Sequence, residues 1–456
     1  MSHTGAAQRV LIFWAAGVLL GLTLLVAWSC KTTRTGSIPY QRVGSPVEIS
    51  NAEGSPVRPE PMIRVRIRRQ TTEVKLSGRG PWLVAVAGAR TGELMSGPVR
   101  IQASNGSIRL TDARGRVRGF AEGVEVYAGP VIHAGDAPGK ELVAVGRTRY
   151  PGTLRLHPRP EVDPNTFDVV NVVEIERYVP GVISKELYPH WDRATFEAQA
   201  VAARTFALIR RESARRSGRW YDVDDSQQSQ VYGGITGQRI ALRAAADTRG
   251  VVLARDGRLT EAYYSSTCGG EPALPEEVWP AEGVVTQARL TTTKTEPAPR
   301  REVLCQTAPL FRWEVARRVG TLSKRFAAWG RARNHKLARL GRLHSIKPIA
   351  KAHSGRKLSF EVTDTQGRTA RLTAEQLRAA CNFPTPGLPS ISHMARLHSG
   401  DVTVDVGRRV VRFSGHGSGH GVGLCQYCAQ AMAQRGDDWR SILEAFYPKT
   451  QLMRIY

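Results

Sequence analysis

The pattern of hydrophobic and polar positions predicts a β-rich first part of the chain. Residues 63–69 alternate as IRVRIRR, and further short runs of β-forming residues follow, separated by Gly, Asp and Pro. These runs lie at 82–87, 99–103, 107–110, 124–127, 142–145 and 167–175. Their short length and close spacing predict a small antiparallel β unit.

Two helices are predicted to follow this unit. Pro180 favours a short helix over residues 179–187, which Pro189 would end. Asp192 is placed to cap a second helix, with Trp191 before it as half of a hydrophobic staple. The apolar stripe of the second helix consists of Phe196, Ala200, Ala203 and Ala207. Its small side chains predict a buried helix that packs closely against a neighbour.

The first 30 residues differ from the rest of the chain. Residues 10–29 read VLIFWAAGVLLGLTLLVAWS, an uncharged run long enough to span a bilayer. Cys30 follows the run, so a lipoprotein signal peptide is an alternative to a retained membrane anchor. The basic residues that come next, beginning with Lys31, would favour a cytoplasmic C-terminus, against the exported location that the chemistry below needs. Residues 31–61 are rich in Pro, Ser, Gly and Thr and are predicted to form a flexible tether.

Length, composition and charge narrow the class of protein. The 456 residues suggest two or three packed units, and 41% hydrophobic with 23% charged residues is ordinary for a soluble fold. The net charge of +25 favours anionic partners and is densest between Lys294 and Lys357. No helix-turn-helix, zinc-finger or aromatic RNA-binding motif accompanies this stretch, so nucleic acid is not an expected partner. A solvated basic face and a surface for anionic polymer or lipid both remain open.

Glu186 is the first candidate for chemistry. It lies in the last turn of the predicted short helix, beside Leu187, Tyr188 and Trp191. The negative end of the helix dipole and partial burial would both raise the pKa of its carboxyl. A carboxyl that stays protonated near neutral pH is suited to protonating a glycosidic oxygen. On the residues alone, a solvent-facing glutamate is the simpler interpretation.

A segment rich in Gly and His near the C-terminus is the second candidate. It reads FSGHGSGHGVGLCQYC at 413–428, and Gly436 is placed to cap the helix that follows. A zinc-like H-x3-H-x4-C-x2-C spacing is formed by His416, His420, Cys425 and Cys428. The two histidines lie in a glycine loop and the two cysteines at the predicted start of a helix, which argues against one shared metal site.

Four ordered blocks of sequence resemble the stage II sporulation protein D family of peptidoglycan lytic transglycosylases and amidase enhancers. The blocks are YVPGVISKELYPHW at 178–191 with EAQAVAARTFAL at 197–208, YDVDDSQQSQVYGG at 221–234, YYSSTCGGEPALPEEVW at 263–279 and SGHGSGHGVGLCQY at 414–427. The resemblance covers the chain from about residue 63 to the end, with a divergent stretch near 320–350.

The resemblance implies that Glu186 is catalytic, because it occupies the position of the family's catalytic glutamate. The candidate substrate-binding residues are His420, Gln426, Tyr427, Tyr232 and Trp191. No cofactor is expected. Some family members bind zinc through a His four residues before the Cys of C-G-G, but here that position is Tyr264, so zinc at Cys268 is not expected.

The cysteines outside the N-terminal segment separate into a predicted pair and an open set. Cys268 and Cys305 are predicted to form a disulfide in an exported protein. Cys425 and Cys428 stand where the family usually has Ser and Gly, and are left to pair, to bind metal or to remain free. Cys381 has no obvious partner.

The function predicted from the resemblance is cleavage of cell-wall glycan strands to 1,6-anhydro ends. One acid/base group suffices, because the sugar's own primary hydroxyl replaces water as the nucleophile. The alternative is a non-catalytic glycan-binding enhancer of a cell-wall amidase. Expected partners are peptidoglycan strands, a cell-wall amidase and, through the N-terminal segment, the cytoplasmic membrane, with the catalytic domain on the cell-wall side.

The predicted fold class is α+β, with an N-terminal membrane anchor, a small antiparallel β unit and a mixed α/β catalytic core that carries a glycan cleft. The predicted division is a signal peptide or anchor at 1–30, a tether at 31–61, a β-rich part at 62–160, a catalytic core at 161–285, a basic accessory region at 286–400, and a Gly/His motif with helices that complete the core at 401–456.

Overall fold

A computed structural model describes residues 59–77, 81–86, 89, 92–121, 126–130 (backbone only), 142–227, 229–280, 303–352 and 354–456. The predicted anchor at 1–30, nearly all of the tether at 31–61 and the start of the basic stretch at 294–302 lie outside these residues. Among the residues described, no helix is both long and apolar enough to cross a bilayer.

The first part of the chain forms two β-sheets, as the alternating pattern predicts. Its strands are β1 (Met62–Thr71), β2 (Glu73–Ser77), β3 (Pro81–Val86), β4 (Glu93–Ser96), β5 (Val99–Ser104), β6 (Ser107–Thr111), β7 (Val117–Phe120), β8 (Val126–Pro130), β9 (Val143–Val145), β10 (Thr148–Tyr150), β11 (Thr153–Pro158) and β12 (Phe167–Glu174). One sheet has the order β1-β12-β11-β8-β3-β4 and the other the order β10-β9-β2-β5-β6-β7. In β1 the residues Ile63, Val65 and Ile67 are buried in the core, which accounts for the alternation.

Two helices follow β12 directly, and both were predicted. Helix α1 (Ile175–Glu186) begins four residues earlier than expected and contains Pro180, because Ile175 and Tyr178 are buried in the same core as β1. Helix α2 (Arg193–Arg216) starts after Asp192, although the Asp192 side chain does not cap it. The predicted stripe of α2 lies in this core as well, together with Trp191.

A series of shorter elements continues the central part of the chain. They are β13 (Val223–Asp224), α3 (Arg239–Asp247), β14 (Val251–Arg255), β15 (Arg258–Leu259), β16 (Tyr264–Ser265) and α4 (Pro275–Val278). Strand β13 extends the first sheet by pairing in parallel with β1. Helices α1, α2 and α3 pack against each other, so α1 is held between the sheet and the two other helices.

The basic region has a hydrophobic core of its own, which it shares with two strands from beyond residue 400. Its elements are β17 (Arg312–Arg318), α5 (Val319–Ala332), β18 (Leu343–Lys351), β19 (Lys357–Asp364), β20 (Thr369–Thr373), α6 (Ala374–Cys381), β21 (Val402–Val406) and β22 (Val410–His416), with short 3-10 helices at Lys336–Arg339 and His393–Ala395. Two three-stranded sheets, β17-β22-β21 and β18-β19-β20, enclose this core together with α5 and α6.

The end of the chain returns to the central helices. Strand β23 (Leu424–Cys425) pairs in parallel with β16, and β24 (Gln451–Arg454) pairs with β14. Helices α7 (Gln426–Gln434) and α8 (Trp439–Phe446) pack on α2. The fold class is therefore α+β, as predicted, while the domain boundaries stay predictions.

A buried ion pair joins three parts of this core. Arg204 of α2 is fully buried and donates to Glu176 of α1 from Nε at 2.9 Å and from Nη2 at 2.8 Å. Glu176 also accepts from the Gly250 backbone N–H at 2.9 Å and from the Tyr456 hydroxyl at 2.6 Å. The last residue of the chain is thus tied to the start of the helix that carries Glu186.

Candidate functional site

Glu186 lies in the last turn of α1, as predicted, and is its last residue. The residue is half-buried, and its Oε2 accepts a hydrogen bond from Gln426 Nε2 at 3.1 Å. Burial of the carboxyl raises the pKa of Glu186, and the hydrogen bond from Gln426 opposes this with a smaller effect. The next residue, Leu187, turns into extended backbone and is buried, which fixes the end of the helix. The site therefore presents a carboxyl that is shifted toward its protonated form and is still reachable from outside.

Gln426 reaches Glu186 because α7 begins at this residue. Its side chain is buried, and its amide also lies 3.4 Å from Gln199 Oε1 of α2. The side-chain amide is a neutral donor, so it can stabilise the carboxylate form of Glu186 without holding it permanently ionised. The predicted site residues Glu186 and Gln426 are thus in direct contact.

Two tyrosines, the buried Tyr178 and the half-buried Tyr264, lie close to the Glu186 carboxyl. Burial raises the pKa of Tyr178 and of Tyr264, and the nearby charge of Glu186 raises both further. Gln230 connects them, since its Oε1 accepts from the Tyr178 hydroxyl at 3.0 Å and its Nε2 donates to the Tyr264 hydroxyl at 3.0 Å. Both tyrosines therefore remain neutral phenols, and they form the inner wall behind the carboxyl.

An aromatic surface adjoins Glu186 on its outer side. It consists of Tyr188, His190, Trp191 and Tyr427. The Tyr427 ring meets Trp191 edge to face at 4.9 Å between centroids and lies 6.5 Å from Tyr188. Trp191 is only 7% exposed and supports the other rings, whereas Tyr188 is 51% exposed. The two predicted residues, Trp191 and Tyr427, are thus brought together, and Tyr188 is the exposed member of the surface.

Tyr232 does not belong to this surface, in contrast to the prediction. Its side chain is 2% exposed, and its hydroxyl donates to Asn171 Oδ1 at 3.2 Å. The ring packs 4.8 Å from Tyr178, and a Cβ on Gly181 of α1 would lie 2.7 Å from it. Tyr232 therefore supports α1 from inside the core and is not placed to contact a substrate.

His420 packs against two aromatic rings that do not belong to the aromatic surface beside Glu186. Its ring centroid lies 4.8 Å from that of Trp279 and 6.0 Å from that of Tyr263. Nδ1 accepts from the Val422 backbone N–H at 3.1 Å, which assigns the proton to Nε2. Burial of the imidazole, the largest influence, lowers the pKa of His420 to about 4. At neutral pH the side chain is therefore an uncharged imidazole, which suits a positioning or hydrogen-bonding group.

The zinc-like spacing of histidines and cysteines does not form one site. His416 Nδ1 lies 3.3 Å from Asp401 Oδ2 and 3.5 Å from Glu271 Oε1, away from the aromatic partners of His420. Gly417 and Gly419, both with positive φ, turn the backbone between the two histidines. A Cβ on Gly419 would lie 2.7 Å from the Ser265 Cβ, which explains the need for glycine there.

Cys425 and Cys428 instead join the two cysteines that were predicted to form a disulfide. The four-residue cysteine cluster consists of Cys268, Cys305, Cys425 and Cys428. All four are free thiols in this structure, and the Sγ atoms of Cys268 and Cys305 lie 3.7 Å apart, so the predicted disulfide is not formed. Among the described residues, this cluster and the group of Glu271, Asp401 and His416 have donor atoms close enough to hold a metal ion.

Four groups that line the site were not among the predicted site residues, and of these Tyr188 was named only as a neighbour of Glu186. These are Tyr188, Gln199, Gln230 and Tyr264. A signal existed for Gln199, because an amide in the middle of an alanine-rich buried helix needs a polar partner. Tyr264 was considered only as a replacement for a zinc-binding histidine.

Two family models match the chain. Residues 163–254, which include Glu186, match the model described as stage II sporulation protein. Residues 295–423 match a domain of unknown function (DUF8618), which covers most of the basic region. Gln426 and the second pair of the cysteine cluster lie just beyond the end of this second match.

Curated relatives support the first of these matches. The amidase enhancer of Bacillus subtilis (strain 168) is 28% identical over 295 residues, which cover 60% of this chain but only 40% of the enhancer. Stage II sporulation protein D of the same organism is 25% identical over 297 residues, which cover 62% of this chain and 75% of the relative. An uncharacterised protein of Brachyspira hyodysenteriae is 29% identical over 305 residues, covering 65% and 70% of the two chains. These matches show that residues 163–254, which carry Glu186, form a stage II sporulation protein domain, and that the chain is similar to stage II sporulation protein D and to the amidase enhancer.

Proposed function

We propose that this protein is a peptidoglycan lytic transglycosylase in which Glu186 is both the general acid and the general base. The observation that carries the proposal is the environment of its carboxyl. The carboxyl is partly withdrawn from water at the end of α1, with a raised pKa and one hydrogen bond from a neutral amide. Such a group can hold a proton near neutral pH and release it to a substrate oxygen.

In the first step Glu186 protonates the oxygen of the glycosidic bond while the bond from that oxygen to the sugar C1 breaks. The developing positive charge on the sugar ring is balanced by the carboxylate that forms at the same time. Gln426 Nε2 then donates to a charged acceptor, which makes its hydrogen bond stronger than in the resting site. The amide therefore stabilises the carboxylate at the stage when it is needed.

In the second step the primary hydroxyl of the same sugar attacks C1, and Glu186 takes the hydroxyl proton. This closes the 1,6-anhydro ring and returns the carboxyl to its starting state, so no water is consumed. Ordinary glycosidases need two carboxyl groups because they bring in water or form a covalent intermediate. Within the described part of the chain, the pKa of Glu186 is shifted by its burial and by the hydrogen bond from Gln426. A neighbouring carboxylate does not contribute to this shift.

The aromatic surface beside Glu186 provides a binding place for a glycan strand. The exposed ring of Tyr188 and the half-buried ring of Tyr427, which Trp191 supports, can pack against the apolar faces of sugar rings. We place the strand along this surface, with the scissile bond over Glu186. The proposal includes export of the protein and its attachment to the cytoplasmic membrane by residues 1–30, so that the site faces the cell wall.

A second candidate function is suggested by the amidase enhancer among the relatives. In that case the same surface would bind glycan without cleaving it, and the protein would stimulate a separate cell-wall amidase. Both candidates require glycan binding. Only the first requires the exchangeable proton of Glu186.

The test uses the full chain, purified in mild detergent, with isolated glycan strands that either carry or lack stem peptides. Products are separated and identified by mass spectrometry for the wild type, for Glu186→Gln and for the exposed control Glu276→Gln. The wild type and the control should release anhydro-ended fragments. Glu186→Gln should lose on the order of a hundredfold or more of this activity while still binding the strands.

Two results would speak against the assignment. Undiminished activity of Glu186→Gln would remove Glu186 from catalysis. Intact strands with the wild type, combined with a rise in the activity of an added cell-wall amidase, would instead support the enhancer function.

A further inference from the structure

The cysteine cluster brings together residues from three separate parts of the chain. Cys268 follows β16, Cys305 precedes β17, and Cys425 and Cys428 lie at the start of α7. All four are buried, and their Sγ atoms all lie within 4.8 Å of one another. A disulfide brings only two sulfur atoms together, so disulfide formation alone does not explain why four sulfur atoms lie this close to one another.

The spacing of the sulfurs fits a tetrahedral metal site. In such a site, zinc lies about 2.3 Å from each sulfur, which places the sulfurs about 3.8 Å from each other. Cys268 Sγ and Cys305 Sγ lie 3.7 Å apart, whereas a disulfide would require about 2.0 Å. Zinc sites that serve a structural purpose are closed and frequently have four cysteine ligands.

The backbone around the cluster is also suited to thiolate ligands. Cys425 precedes the first turn of the nine-residue helix α7, and Cys428 lies within that turn, so the positive end of the helix dipole faces both sulfurs. The Cys268 backbone N–H donates to Cys425 Sγ at 3.4 Å. Gly269 and Gly270 after Cys268 both have positive φ, so the backbone turns tightly directly after this cysteine.

We propose that the cysteine cluster holds one zinc ion in a closed, structural site. The four thiolates fill the coordination shell, so the ion has no open position for substrate or water. No histidine takes part. The proposal does not depend on whether the protein cleaves glycan.

The site would position two residues of the candidate active site. Gln426 and Tyr427 lie between Cys425 and Cys428, and the Tyr427 backbone N–H donates to the Ser266 carbonyl at 3.2 Å. Metal binding at both flanking cysteines therefore fixes the start of α7 against the strand β16. The amide that contacts Glu186 is held in place by this arrangement.

The decisive experiment uses the wild-type full chain, purified without added chelator or reductant. Elemental mass spectrometry gives the metal content, and peptide mapping after alkylation under denaturing conditions gives the state of each cysteine. We expect about one zinc per chain, as in other closed sites, and four alkylated thiols. Replacement of the metal by Co²⁺ should give the intense sulfur-to-metal charge-transfer absorption of four thiolate ligands.

Two variants test which residues bind the metal. Cys428→Ser should lose the stoichiometric zinc, whereas Cys381→Ser, a change of another buried cysteine in the separate core of the basic region, should retain it. Disulfides Cys268–Cys305 or Cys425–Cys428 without stoichiometric zinc in the wild type would overturn the proposal, and so would stoichiometric iron. Because these results come from the wild type, a variant that fails to fold does not obscure the answer.

Discussion

Gln426 Nε2 lies 3.1 Å from Glu186 Oε2, although the two residues are 240 positions apart in the chain. The hydrogen bond lowers the pKa of Glu186 against the larger, opposite effect of burial. The same side chain therefore opposes the protonation that burial favours, and in the proposed mechanism it would also stabilise the carboxylate that forms during the reaction.

Replacing Gln426 by Leu should reduce kcat without abolishing the fold. The variant keeps the apolar part of the side chain but removes the donor, and hydrogen bonds to charged groups contribute about 1.5 to 3 kcal/mol. We therefore expect a loss in kcat of about ten- to a hundredfold. The pKa of Glu186 should rise further, so the loss of activity on the alkaline side should shift to higher pH. A pH–rate profile with isolated glycan strands measures both effects.

The matched control is Gln434→Leu, which changes an exposed glutamine on the same helix. It should leave the rate and the profile unchanged. An unaltered profile in Gln426→Leu would mean that the contact with Glu186 has no part in the reaction.

His420 should make the stability of the protein sensitive to mild acid. Its pKa is about 4 in the folded protein, below the ordinary value of 6.5, because burial disfavours the imidazolium form. The unfolded chain therefore binds this proton first as the pH falls. The stability contributed by the neutral imidazole is complete above pH 6.5 and is lost as the pH falls toward 4.

Urea unfolding at pH 7 and pH 4.5 measures this contribution. When the pH falls from 7 to 4.5, the free energy of unfolding of the wild type should decrease by about 2 kcal/mol more than that of His420→Gln. The difference arises because the pKa of His420 is lower in the folded than in the unfolded chain. His344→Gln, a change of an exposed histidine, should behave like the wild type. Equal losses in the wild type and in His420→Gln would show that the imidazole is not held neutral by burial.

Glu176→Gln should strongly destabilise the core that carries α1. The substitution removes the charge opposite Arg204, which is fully buried, and breaking one side of a buried pair costs about 3 to 5 kcal/mol. Glu212→Gln provides a matched control at a surface pair with Arg216, where the expected change is about 1 kcal/mol or less. Urea unfolding at neutral pH compares the two. Similar small changes in both variants would contradict the structural role of the buried pair.

The parts of the fold that depend on local sequence were predictable. The stripe of Phe196 and three alanines on α2 is buried as its spacing indicates, and Glu186 ends α1. The start of α7 beside Cys425 and the positive φ of Gly436 after its end also agree with the sequence pattern. In these cases the sequence signal is local, because the periodic apolar residues and the capping residues lie within a few positions of the element that they predict.

The contacts that define the site depend on pairing over long distances. Strand β16 pairs with β23 so that Ser265 lies opposite Cys425, and this register brings Cys268 to the C-terminal cysteines. Neither strand exceeds two residues, so no alternation predicts the pairing. The close spacing of the histidines and cysteines resembled that of a zinc site, but it could not reveal how the glycine turns separate His416 from His420. Tyr232 was predicted to bind substrate, because the residues next to it in the sequence give no sign that its side chain is buried behind α1.

The central claim is that glycan strands are cleaved without water. The most direct measurement is digestion of isolated glycan strands by the full chain in water enriched in oxygen-18, followed by mass spectrometry of the new ends. The account predicts 1,6-anhydro ends without oxygen-18, since the attacking oxygen comes from the sugar itself. Reducing ends labelled with oxygen-18, or strands that remain intact, would contradict it.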